Sequence, residues 1–121
     1  MFRVQPVGQD RIDIEMSGRL ESNDMRAAIA NLEMKCEHIR DGKMLYFVHD
    51  FEMPSAGAVG VELKQLPQLI RTLKHFDKAA VIADEKWIRN LSEVEGALFP
   101  GLEVKAFDMK DAHAAEAWLH H

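Results

Sequence analysis

The spacing of hydrophobic and polar positions changes several times along the chain, and each change predicts the boundary between two elements. Residues 2–7 form a short apolar-rich run, and residues 11–16 alternate polar and apolar side chains, the period of a strand with one buried face. The turn-forming residues Gly8, Gln9 and Asp10 lie between them. The pattern therefore predicts a β-hairpin at the start of the chain.

The segment after the hairpin has the period of a helix. Its apolar side chains step by four, three, four and three residues, forming one stripe of Met25, Ile29, Leu32, Cys36 and Ile39. Ser22, Asn23 or Asp24 can cap the start of this helix. Because Cys36 lies on the stripe, we expect a buried side chain rather than a reactive thiol.

Three further runs predict strands, and a helical pattern follows each of them. The runs are residues 44–48 (MLYFV), 79–83 (AAVIA) and 102–107. The first two are continuously apolar, which suits strands covered on both faces. The helical stripes that follow are Val59, Leu63, Leu66, Ile70 and Leu73; Trp87, Leu91, Val94 and Leu98; and Ala112, Ala115 or Glu116, and Leu119.

Pro67 interrupts the second helical pattern. It removes one main-chain N–H and clashes with the carbonyl of Leu63, so we expect a kink, or two helices with Pro67 in the first turn of the second. The order ββαβαβαβα favours parallel pairing with right-handed crossovers, apart from the antiparallel hairpin. The sequence thus predicts a single α/β domain over residues 1–121, with a mixed five-stranded sheet and about four helices.

Length and composition fit this prediction and exclude several classes of protein. The chain has 121 residues, 47% apolar and 29% charged, the balance of a globular domain. Its net charge of −5 argues against nucleic acid as the main ligand, because affinity for phosphate backbones comes largely from Lys and Arg. One cysteine excludes an internal disulfide, and no window resembles a signal peptide or a membrane span. We therefore expect a cytoplasmic protein.

No motif for catalysis, a metal or a nucleotide occurs in the sequence. The histidines do not form HExxH, and the glycines form neither GxGxxG nor a P-loop. Ser55 is not in a Gly-x-Ser-x-Gly elbow, because Met53 stands two residues before it. We therefore expect no catalytic residue, no metal and no cofactor. The rival hypothesis of a hydrolase would have to use His49, Asp50 or Ser55.

The stretch His49–Gly60 lies where the central strand gives way to a helix, and ligands bind at such strand ends in open α/β sheets. Ser55 within it has four interpretations: a helix cap, part of an anion site at the helix start, a phosphate acceptor or a nucleophile. Gly57 and Gly60 would allow a ligand to approach the backbone. The candidate ligand- or partner-binding residues are His49, Asp50, Phe51, Met53, Ser55, Gly57, Val59, Gly60 and Leu63.

Residues 51–73 carry more apolar side chains than one buried stripe needs. Val61 and Leu69 in particular fall off the stripe. Such a surplus is typical of a mobile flap over an apolar cavity, of a face that touches a membrane, or of a homodimer interface. Burial under a neighbouring loop accounts for it equally well.

Four segments of the chain carry a family resemblance. They are SGRLESNDMRAAI, KAAVIADEKW, the last predicted strand with its terminal Phe107, and the final EAWL helix. Together they resemble the SpoIIAA-like family, which belongs to the STAS and Sec14/CRAL-TRIO-like fold group. The resemblance covers nearly the whole chain and implies the STAS-like version of the fold predicted above.

In STAS proteins an Asp ends the third strand, and an Asp-Ser-Ser-Gly-like turn opens the next helix. A partner kinase phosphorylates a serine of that turn, and phosphorylation abolishes partner binding. Asp50 matches the first position, whereas Pro54-Ser55-Ala56-Gly57 lacks the leading Asp and one Ser. The resemblance implies a non-enzymatic regulatory domain that binds a partner protein or a small apolar ligand, with Ser55 as the phosphorylation candidate. The alternative that it implies is a Sec14-like module that binds lipid or touches a membrane surface.

Overall fold

Five strands form one sheet in the order β1-β2-β3-β4-β5. The computed structural model describes residues 2–52, 56–86, 88–90, 93 and 101–120, and only the main chain of residues 62, 63 and 66. The strands are β1 (Phe2–Val7), β2 (Arg11–Gly18), β3 (Gly42–Phe51), β4 (Phe76–Ala83) and β5 (Glu103–Phe107). The helices whose bounds lie within the described residues are α1 (Ser22–Cys36), α2 (Ala56–Lys64), α3 (Leu66–Leu73), a 3-10 turn (Met109–Asp111) and α4 (Ala112–Leu119). Residues 86, 88–90 and 93 are helical as well, whereas the predicted stripe of Trp87, Leu91, Val94 and Leu98 lies outside the described residues.

The pairing of the strands confirms the predicted mixed sheet. β1 is antiparallel to β2, while β2, β3, β4 and β5 run parallel to their neighbours. The strand order equals the chain order, so each crossover moves the chain one position across the sheet. The carboxyl ends of the four parallel strands consequently lie along one edge of the molecule.

Helices cover both faces of the sheet, but to different extents. On one face, α1 packs over β1, and α2 and α3 pack against α1. The core there joins Leu32 and Cys36 of α1 to Ile12, Ile14 and Met44 of the sheet. On the other face, α4 packs over β4, where Ala115 and Leu119 meet Ala80 and Ile82. Side chains of β4 are therefore buried on both faces, as its continuous apolar run predicts.

The start of α1 differs in detail from the prediction. The helix begins at Ser22 and its N-cap is Glu21 rather than Ser22, Asn23 or Asp24. The carboxylate of Asp24 accepts a hydrogen bond of 2.9 Å from the main-chain N–H of Glu21. Asp24, the third residue of the helix, thus accepts from a main-chain N–H that would otherwise lack a partner. This hydrogen bond is one half of a capping box.

Two further predictions about individual residues are confirmed. Cys36 is buried, and burial raises the pKa of its thiol to about 11, which keeps it protonated at neutral pH. Pro67 lies in the first turn of α3, and the main chain leaves the helical conformation at Gln65, with φ −100° and ψ 14°. Within the described residues, no helix has both the length and the apolar character needed to span a bilayer.

The predicted buried stripe of α2 and α3 is wrong in part. Val59 and Ile70 belong to that stripe, yet they are 42% and 36% exposed. Val61, which the stripe omits, is buried together with Ala58. Ala58 and Val61, three residues apart, form the inner face of α2 instead. The small side chain of Ala58 lets α2 pack closely against α1. One side of α2 with Val59 is consequently left in solvent.

Candidate binding site

The backbone departs from the extended conformation at Asp50, near the carboxyl end of β3. This residue has φ +47°, in the left-handed region that few residues other than Gly, Asn and Asp adopt. Its side chain is 96% exposed. The backbone strain at this position therefore presents a carboxylate to solvent at the strand end, next to the connection that leads to α2.

His49 is one end of a polar chain across three strands, with Glu15 at its centre. Its Nε2 lies 2.8 Å from Oε2 of Glu15 on β2, and the other oxygen of Glu15 accepts a 2.6 Å hydrogen bond from Arg3 on β1. The hydrogen bond with His49 lowers the pKa of Glu15, and the nearby charge of Arg3 acts in the same direction. The ring of Phe47 packs against the imidazole, with ring centroids 5.3 Å apart.

The side chains of His49 and Asp50 approach each other at the strand end, although successive side chains of an extended strand point to opposite faces. His49 Nδ1 is 3.7 Å from Oδ2 of Asp50. The left-handed conformation of Asp50 turns its side chain back toward the imidazole. The two predicted residues are thus neighbours, at a distance longer than a hydrogen bond.

The exposed side of α2 is poor in side chains. Gly57 and Val59 are exposed, and Gly60 lies in the middle of the helix. Apart from its chain neighbours and the backbone of its own helix, a methyl group built on Gly60 would have no atom of the described residues within 4 Å. The backbone of α2 is accordingly open to approach from solvent along this side.

On its side of the sheet, α4 covers one half of the face and leaves the other half uncovered. Over β1, β2 and β3 this face carries a shallow cavity of about 260 Å³. Its lining residues are Arg3, Gln5, Asp13, Ile14, Glu15, Leu45 and Phe47. We call this area the open sheet face. It continues to His49 through the contact with Glu15 and is bordered by Arg11, which pairs with Glu116 of α4 at 2.7 Å.

Metal ligation finds no support in the described part of the chain. No group of three or more His, Cys, Asp and Glu side chains there is arranged to hold an ion. His49 contacts Glu15, and the side chain of Asp50, although 3.7 Å from His49 Nδ1, is almost fully exposed.

A family model described as SpoIIAA-like matches residues 11–120. The chain belongs to the SpoIIAA-like family. The resemblance noted in the sequence is therefore confirmed over nearly the whole chain. No curated protein sequence matches it.

Solved structures agree with this assignment at the level of the fold. An uncharacterized protein with a SpoIIAA-like fold from Shewanella loihica has a TM-score of 0.72 and 21% identity, covering 98% of this chain and 92% of that one. The unphosphorylated anti-sigma factor antagonist SpoIIAA has a TM-score of 0.56 and 11% identity, covering 97% and 98%. The phosphorylated Bacillus cell fate determinant SpoIIAA has a TM-score of 0.56 and 13% identity, covering 98% and 99%.

The predicted site of this SpoIIAA-like chain is only partly described. His49, Asp50, Gly57, Val59 and Gly60 take the positions given above. Phe51 is half-buried and packs against the cluster of Val48, Val81, Ala83 and Ile88. Met53 and Ser55 lie outside the described residues, as does the side chain of Leu63. The four interpretations of Ser55 therefore stay predictions.

The open sheet face is the feature of this SpoIIAA-like chain that the sequence analysis missed. A signal for it was present, because Arg11, Asp13 and Glu15 alternate with the buried residues of β2 and share one face. The run MLYFV concealed the continuation onto β3, where Phe47 is 39% exposed. A continuous apolar run does not reveal which of its two faces a helix leaves open.

Proposed function

We propose that this SpoIIAA-like chain is a non-enzymatic regulatory domain that binds a partner protein. Its binding surface is the exposed side of α2 together with the carboxyl end of β3, near Asp50. The membership of the family supports this proposal, as does the likeness of fold to SpoIIAA, an anti-sigma factor antagonist.

The main support for the proposal is the presence of a glycine, Gly60, inside α2. A glycine inside a helix costs about 1 kcal/mol relative to alanine. Crowding within the described chain does not explain it, since a methyl group at Gly60 would meet open space. A glycine that no neighbour requires is well explained by the close approach of a second molecule to the helix backbone.

Val59 and Asp50 support the same surface. Val59 is 42% exposed beside Gly60, so the surface includes an apolar side chain that a partner could bury. Asp50 adds a carboxylate whose backbone conformation is strained and whose side chain is almost fully exposed. Protein interfaces combine an apolar centre with a polar rim, and Val59 and Asp50 would contribute one side chain to each.

The polar groups near the strand end favour binding over catalysis. Both carboxylate oxygens of Glu15 are engaged, one by Arg3 and one by His49, so this group is poorly placed to act as a base. Asp50 is surrounded by water rather than by a low-dielectric pocket that would tune its reactivity. The proposal therefore assigns these residues to recognition.

Contact with an anionic membrane surface is the second candidate. Lys64 of α2, Arg71 of α3 and Lys74, the residue that follows α3, are exposed, although the whole chain has a net charge of −5. Ile70 is exposed among them. A cationic segment with an exposed apolar side chain is suited to the surface of anionic lipids.

A capture experiment distinguishes the two candidates. Immobilised wild type, Val59→Glu and Ala117→Glu are each incubated with lysate, and bound proteins are quantified by mass spectrometry. Ala117 is exposed on α4, so its substitution adds the same charge on the opposite face of the sheet. We expect Val59→Glu to reduce capture of the partner at least about tenfold, whereas Ala117→Glu leaves it unchanged.

Gly60→Ala is the sharper variant in the same experiment. It should raise the free energy of unfolding by about 0.5–1 kcal/mol while weakening capture. Equal capture by wild type, Val59→Glu and Gly60→Ala would refute binding at α2. Flotation with phosphatidylserine vesicles but not with phosphatidylcholine vesicles, abolished by Arg71→Glu, would favour the membrane candidate instead.

A further inference from the structure

The two edges of the sheet are not equivalent, and the β1 edge is blocked. Lys35 of α1 donates a 2.8 Å hydrogen bond to the main-chain carbonyl of Val4. Pro6, two residues later in the same strand, has no N–H to offer. Cover by a neighbouring helix and a proline in the strand are two of the means by which edge strands avoid pairing with another chain.

The β5 edge carries neither protection. Its sequence EVKAF contains no proline. In the described part of the chain, β5 pairs only with β4. The main-chain groups on its outer side thus have no strand partner among the described residues, and they are a template for a further strand.

The side chains of β5 have a self-complementary charge pattern. Glu103 and Lys105 are exposed and alternate with the half-buried Val104 and Ala106. Neither charge forms an ion pair with another described residue, and the ammonium of Lys105 lies 5.4 Å from the ring centroid of Phe107. One negative and one positive charge therefore stand two positions apart on the same face of an edge strand.

We propose that β5 is a dimerisation edge, where it pairs antiparallel with β5 of a second copy of this chain about Val104. In this register Glu103 of each copy lies opposite Lys105 of the other, and Val104 lies opposite Val104 of the second copy. Two ion pairs and one apolar pair then cross the two-fold axis, each a favourable cross-strand combination. The two sheets join into one continuous sheet of ten strands.

The charges select this register over its neighbours. The two sheets of such a dimer are related by a two-fold axis perpendicular to the sheet. The same face of both sheets stays on one side of the dimer only if the register changes in steps of two residues. A shift in one direction places Glu103 opposite Glu103, and a shift in the other places Lys105 opposite Lys105. Like charges directly opposite one another destabilise a strand pair, so only the register about Val104 is complementary.

The interface is small, since each copy contributes one strand of five residues. Small interfaces are typical of weak complexes, so association is measured from about 10 µM to about 1 mM by sedimentation velocity. Glu103→Lys and Lys105→Glu each place like charges opposite one another, and both should raise the dimer dissociation constant at least about tenfold. Lys110→Glu, an exposed substitution outside β5, makes the same change in net charge as Lys105→Glu and should leave the dissociation constant unchanged.

Mixing the variants gives the decisive result. Each single variant repels itself, but a heterodimer of Glu103→Lys with Lys105→Glu has two attractive pairs, and the double variant in one chain also restores complementarity. We therefore expect dimers from the mixture and from the double variant. A monomer at every wild-type concentration would overturn the proposal. A dimer that persists in both single variants would overturn it as well, because another surface would then hold it.

Discussion

The carboxylate of Glu15 is held between the imidazole of His49 and the guanidinium of Arg3. Because the hydrogen bond with His49 is the largest cause of its lowered pKa, removing the imidazole should raise that pKa toward the ordinary value. We expect this rise in His49→Ala, followed by NMR titration of the Glu15 carboxyl carbon. His113→Ala, an exposed histidine on α4, is the control and should leave the titration unchanged.

The same contact fixes the sign of one pH effect. A carboxylate whose pKa is lowered by folding stabilises the native state above its unfolded pKa, and the contribution is lost as pH falls through the lowered folded value. Wild type should therefore have a higher free energy of unfolding than His49→Ala at neutral pH, as far as Glu15 is concerned. This difference should shrink below about pH 4, near the ordinary pKa of Glu. An unshifted Glu15 titration in His49→Ala would mean that Arg3 alone holds the carboxylate.

At the scale of elements, two glycines have opposite roles. Gly42 opens β3, where a methyl group would overlap Cγ2 of Ile39 and lie 3.0 Å from the carbonyl oxygen of Asp10. Gly42→Ala should therefore lower the free energy of unfolding by about 1–3 kcal/mol. Gly60→Ala, with open space around it, is the matched control and should change stability in the opposite direction. Chemical denaturation measures both, and a neutral Gly42→Ala would show that the β3 entrance can widen.

The elements that the sequence predicts best are those with strong periodicity or a special residue. Alternation of polar and apolar residues predicts the hairpin, and a 3.6-residue period predicts the stripe of α1. The missing N–H of Pro67 predicts the division between α2 and α3. The buried side of α2 was assigned wrongly, because Ala58 contributes little hydrophobic signal although it is fully buried. The side of a helix that faces the core depends partly on small side chains that allow close packing. A pattern of large hydrophobic residues does not reveal these positions.

At the scale of the molecule, the sequence predicts the mixed sheet but not what each face exposes. The extent of the open sheet face depends on where α4 lies, and that position depends on contacts far apart in sequence. Arg11 of β2 pairs with Glu116 of α4, and Lys78 of β4 donates a 3.0 Å hydrogen bond to the carbonyl of Trp118. No local pattern in the chain specifies these pairs, so the alternation in β2 indicates a polar face but not how much of that face α4 leaves uncovered.

These long-range contacts also decide whether the chain unfolds as one unit, as the prediction of a single domain requires. Leu119 at the end of α4 is fully buried against Ala80, Ile82 and Ala115. Leu119→Ala should cost about 2–5 kcal/mol. If the domain is one cooperative unit, the loss will reach the most protected amides of β3 as fully as those of α4 in native-state hydrogen exchange.

The matched control for this experiment is Met34→Ala, a side chain that is 67% exposed on α1. It should change exchange free energies by no more than about 0.5 kcal/mol. A Leu119→Ala variant in which α4 loses protection while β3 keeps it would mean that α4 opens separately. The open sheet face would then extend over β4 in the opened state, because α4 is the element that covers that strand.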